Sequence, residues 1–140
     1  MRYNNRLGAK GWVIGGNYSI ERYLYILHRV SGLALIFYLM CHLILTSFRI
    51  AGAPTWEAAM AFVSGPFFKV GEFLVMCAGV YHAINGLRLI IIELGYCIGK
   101  PERQEYPYTP SIKKQRPLMY LLMLVVAALV AVSVVDFFIM

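Results

Sequence analysis

The 140 residues are 60% hydrophobic and only 14% charged, against about 45–50% and about 25% in an ordinary soluble domain. A chain with so little polar surface cannot cover a soluble core, and the bilayer becomes its solvent. A formal charge of +6 would suit nucleic acid, but Lys and Arg fall outside or at the ends of the apolar runs, which signals topology rather than a binding stripe.

Residues 1–22 are polar, basic and glycine-rich, with Glu21 the single acid among Arg2, Arg6, Lys10 and Arg22. They contain no short apolar stretch followed by a small-residue cleavage site, so they read as a cytoplasmic segment rather than a signal peptide. Residues 23–140 read as a membrane anchor domain with spans at about 24–50, 67–96 and 118–140, each near or above the ~20 residues a bilayer needs. Between the first two, Thr55 to Val63 suits a short interfacial helix, with Trp56 and Phe62 at headgroup level. Lys69 and Glu72, three apart, are placed to pair across one turn. Residues 99–117 form a basic, proline-containing surface loop.

The expected fold is therefore all-α, with three transmembrane helices forming part of a multi-subunit bundle. Gly32, Ala34, Gly71, Ala78, Gly79, Ala83 and Gly86 would let those helices approach closely. The basic N-terminal segment and 99–117 loop put the N-terminus in the cytoplasm and the C-terminus outside, in a prokaryotic inner membrane. Cys41, Cys77 and Cys97 form no C-x-x-C or C-x-x-C-H pattern, which excludes zinc-ribbon, thioredoxin and covalent c-type haem readings.

Two polar clusters interrupt the apolar runs: His28-Arg29-Val30-Ser31-Gly32, and His82 to Arg88 with Asn85 and Gly86. Polar residues at such depth cost roughly 2.5–3.5 kcal/mol each when charged, and their default reading is functional. His82 is a candidate axial ligand of haem iron; Gly86, one turn on, opens flat space beside the ring, and Arg88 could pair with a haem propionate. His42, buried in its own span, is a second candidate ligand, either of the same haem or of another. Measured from Arg29 and Glu93, the two histidines come out at similar depths, about 16 Å for His82 and about 20 Å for His42. Arg29 and Ser31, beside His28, offer the donors a quinone head group needs.

These motifs resemble those of the cytochrome b membrane-anchor subunits of succinate dehydrogenase (complex II). That family carries His-Arg-x-Ser-Gly opening its first span, and His-x-x-x-Gly-x-Arg followed by an acid, here Glu93, in its second. The resemblance covers roughly residues 22 to 96. It implies that His82 is an axial ligand of haem b, that Arg29 lies near the quinone and the haem propionates, and that His28 sits beside it at the propionates. The family's quinone-contacting serine, three residues before the motif histidine, is Tyr25 here, so Tyr25 or Ser31 stands in for it. Two-haem relatives carry a first-span histidine as His42 does, which implies one or two haems. The implied partners are a second membrane anchor subunit, an iron–sulfur subunit, a flavoprotein subunit and membrane quinone. On this reading the chain takes part in succinate:quinone oxidoreduction, or fumarate reduction, without itself binding succinate. The competing readings are a cytochrome b anchor of a different dehydrogenase and a cofactor-free structural subunit.

Overall fold

A computed structural model describes residues 18–100, 103, 105, 106 and 110–139. The segment expected at the cytoplasmic surface therefore lies, for residues 1–17, outside the described residues, as does part of the 99–117 loop. The described residues form four α-helices in order: α1 (Ile20–Ser47), α2 (Ala53–Val63), α3 (Pro66–Glu93) and α4 (Arg116–Phe138). Short 3₁₀ turns, Phe48–Ala51 and Ser111–Gln115, precede α2 and α4. Among the described residues there is no strand.

Lipid offers backbone amides no partner, so each long apolar run closes its hydrogen bonds internally as a helix. α1 and α3 each hold 28 residues, about 42 Å, enough to cross a hydrocarbon layer about 30 Å thick. Among the described residues three stretches are long and apolar enough to span a membrane: α1 with the turn after it (Ile20–Ala51), α3 (Pro66–Glu93) and α4 with the turn before it (Ser111–Phe138).

The breaks between them have local causes. The end of α1 is tied off by Thr46, whose hydroxyl donates to the His42 carbonyl at 2.9 Å, and by Ser47, which donates to Ile44 at 2.6 Å. Gly52, at φ 100°, makes the left-handed turn into α2 that a side chain would resist. Proline occupies the first turn of α2, α3 and α4, where its missing N–H is not needed.

Helix α3 is the middle of the bundle and packs on both α1 and α4. Tyr81 meets Leu24 while Gly79 meets Leu35, so α1 and α3 are antiparallel. Arg88 meets Gln115 while Phe73 meets Phe137, so α3 and α4 are antiparallel too. At the His28 end, Arg116 opens α4 and binds Glu21 of α1, Nε to Oε1 at 2.7 Å, which closes the bundle there.

The interior is the reverse of a soluble core. Among the described residues the buried side chains are Glu21, Ser31, Asn85, Arg88, Gln115 and Ser133, with only Tyr81 and Met119 as large apolar companions. The apolar bulk faces outward, as with Leu33, Ile36, Phe37, Met40 and Ile44 on α1. Two local expectations fail. Gly71 meets no neighbouring helix within 4 Å of where a Cβ would stand, because it borders an open cavity. The Lys69–Glu72 pair is not formed; Lys69 lies over the Phe138 ring, while Glu72 turns into that same cavity.

Candidate cofactor site

Antiparallel packing brings the two motif histidines together. The His28 and His82 rings stack with centroids 3.9 Å apart and planes at 9°. Each motif also carries a glycine four residues after its histidine, and the two motifs serve each other. A Cβ on Gly32 would stand 2.9 Å from His82 Cε1, and one on Gly86 would stand 3.4 Å from His28 Cε1. Glycine on each helix is thus the seat for the ring of the other.

The polar contacts define the proton on His82. Ser31 Oγ donates to the His28 carbonyl at 2.9 Å, the ordinary back-bond of a serine in a helix. His82 Nδ1 lies 3.1 Å from that same carbonyl and 3.2 Å from Ser31 Oγ. A carbonyl only accepts, and the serine hydrogen is already placed, so Nδ1 is the protonated nitrogen. The lone pair of His82 is then on Nε2, which makes no hydrogen bond among the described residues. A metal-ligating histidine has this arrangement: the far N–H is held by a carbonyl, which orients the ring and raises its basicity.

At this pair two buried polar atoms have no partner among the described residues, His28 Nδ1 and Asn85 Nδ2. Asn85 is oriented by Arg88, whose Nε donates to Asn85 Oδ1 at 3.0 Å; a second guanidinium nitrogen donates to Gln115 Oε1 at 2.7 Å. Arg88, 1% exposed, is thereby held towards α4. Tyr81 completes the layer, its hydroxyl donating to the Leu24 carbonyl at 2.7 Å.

Arg29 and Tyr25 lie elsewhere on α1. Both are exposed on the outer surface, with the Arg29 guanidinium 5.7 Å from the centre of the Tyr25 ring. Ser31 is 5% exposed and faces His82, so the structure separates it from that pair.

His42 stands apart. It lies ten residues beyond Gly32 on α1, about 15 Å along the axis, and its ring neighbour is Tyr38 at 5.6 Å. It lines an apolar cavity of about 580 Å³ between α1, α2 and α3, together with Trp56, Met60 and Glu72. The equal depths read from the sequence do not hold. Arg29 is no marker of the helix end, since α1 starts nine residues earlier at Ile20, and His82 sits level with His28. The two histidines do not flank one site.

Two features were not legible from the motifs: Gln115 as the partner of Arg88, and Arg116 as the partner of Glu21. The only signal was that Glu21 is the lone acid in a basic segment. Among the described residues no group of three or more His, Cys, Asp or Glu side chains is placed to hold a bare metal ion. A haem iron asks for less, because its porphyrin supplies the equatorial donors. A histidine with a fixed tautomer and orphaned buried polar atoms beside it fit such a group; the flat space expected beside Gly86 is instead taken by the His28 ring.

Fold and site together define an integral-membrane helical protein with a half-buried histidine pair near one end of its bundle. The chain belongs to the succinate dehydrogenase/fumarate reductase transmembrane subunit family, whose model matches residues 12–135. It is 29% identical over 69 residues to a succinate dehydrogenase 2 membrane subunit of Mycobacterium tuberculosis, covering 49% of this chain and 51% of that protein. It is 22% identical over 90 residues to a succinate dehydrogenase hydrophobic membrane anchor subunit of Halobacterium salinarum, covering 64% of this chain and 69% of that protein. The chain thus spans about half the length of the first relative. No solved structure matches it at a significant level.

Proposed function

We propose that the chain is a haem b-binding anchor subunit of a succinate:quinone oxidoreductase. In this role it holds the soluble subunits at the membrane and helps electrons reach quinone. The observation that carries this reading is His82, its Nδ1–H engaged by the His28 carbonyl and Ser31 while Nε2 stays unengaged. When bound, haem would supply a one-electron relay, with its potential tuned by the imidazole that holds it and by its burial. His82 is the ligand this chain offers. His28, with its unpartnered Nδ1, is the donor to a propionate, and Arg88 adds positive charge from the α3–α4 side.

Arg29 and Tyr25 form this chain's part of a quinone pocket, exposed where a second anchor subunit and the iron–sulfur subunit would close over them. A flavoprotein subunit would handle succinate. Lys and Arg placement supports a cytoplasmic His28 end with the C-terminus outside, on the reading of a prokaryotic inner membrane. A second haem on His42 is favoured by one observation, the cavity of about 580 Å³ that its ring borders.

The test uses the purified complex containing this chain. Haem is assayed as its pyridine haemochrome, and succinate oxidation is followed with quinone and with an artificial acceptor. Bound haem, and an Arg29→Leu variant that loses roughly 10-fold or more in quinone reduction with artificial-acceptor activity kept, support the reading. A colourless complex would leave an anchor without cofactor; equal losses in both assays would reduce Arg29 to an assembly role.

A further inference from the structure

We propose that Ser31 is the positioning residue of His82: its hydroxyl, with Gly32 making room, fixes the imidazole proton on Nδ1 and so turns Nε2 towards the cofactor. The inference rests on the assignment of haem to His82 above.

The hydroxyl closes a triangle. It donates to the His28 carbonyl at 2.9 Å and accepts from His82 Nδ1–H at 3.2 Å, while the same N–H reaches the carbonyl at 3.1 Å. Its single hydrogen is therefore engaged and cannot be donated to a quinone carbonyl, and at 5% exposure the hydroxyl has little open face for a second ligand. Helix geometry argues the same way. Residues 29 and 31 are two apart, about 200° around the axis, so a quinone held by Arg29 lies on the opposite side of α1 from Ser31.

Gly32 belongs to the same device. A Cβ there would stand 2.9 Å from His82 Cε1 and 3.4 Å from Nδ1, close enough to push the ring off the serine. The Ser31-Gly32 dipeptide thus gives a hydrogen bond and a clearance to one ring from one turn of helix. The other two-nitrogen arrangement of His82, with the proton on Nε2, would set a lone pair of Nδ1 against a carbonyl and is disfavoured.

A positioning role differs from a quinone contact in what it moves. In the complex carrying Ser31→Ala, the haem midpoint potential and its low-spin EPR signature shift from wild type, since a ligand's hydrogen-bonded partner tunes its donation to iron. The KM for quinone stays within about twofold, and Ser31→Thr returns the spectrum towards wild type. Should the alanine complex not assemble, Ser31→Cys, close in size and weaker in hydrogen bonding, carries the same readouts. A wild-type potential and EPR spectrum in the variant overturns the proposal, as does a KM raised ~10-fold with the spectrum unmoved. A wild-type complex without haem overturns the haem assignment and this inference with it; haem present but insensitive to residue 31 overturns this inference alone.

Discussion

The two ends of the bundle each carry a histidine, one turned between the helices and one on an exposed wall. At one end His82 is stacked on His28, seated on Gly32 and hydrogen-bonded through Nδ1. At the other, His42 is exposed beside Tyr38 on the wall of an apolar cavity. The first ring has its tautomer and orientation set by three neighbours from another helix; the second has neither. Residue type and depth in an apolar run do not make a ligand site. The groups that hold the second ring nitrogen do.

That contrast can be broken or sharpened by substitution. The largest expected effect is at the fixed end: His82→Ala removes the haem absorbance assigned to it, whereas His42→Ala leaves that band in place. The next is the glycine seat. Gly32→Ala brings a Cβ to 2.9 Å of the ring, and haem affinity should fall roughly 10–100-fold, the range seen when a ligand's outer support is disturbed. Gly86→Ala, at 3.4 Å from His28, should lower it less, and haem titration of the two variants side by side checks the order. Smaller still is Arg116→Ala, which leaves the buried Glu21 carboxylate unpaired. The loss is read as a modestly lower thermal midpoint of the complex with haem content kept. If that variant instead loses haem and keeps its midpoint, the closure between α1 and α4 belongs to the site rather than to the frame.

How far the sequence reached follows from the same physics. Apolar run length and the Gly-Pro breaks at Gly52, Pro54, Gly65 and Pro66 carry the three membrane helices and the short helix between the first two. Polar residues inside those runs single out His28, Ser31, His82 and Arg88. Hydropathy does not report how antiparallel helices slide past one another. That is why His82 and His42 look equally deep in the sequence, and why Ser31 reads as a neighbour of Arg29 although it faces the opposite side of α1. Gln115 and Arg116 sit in a basic loop-to-helix junction without periodicity, so nothing marks them as partners of Arg88 and Glu21.

The most direct measurement is the haem content of the complex carrying His82→Gly, with and without added imidazole. The account predicts haem lost in the variant and restored when free imidazole fills the space beside Ser31 and Gly32. Full haem content in the variant without imidazole would contradict it, and would move the axial ligand to another residue.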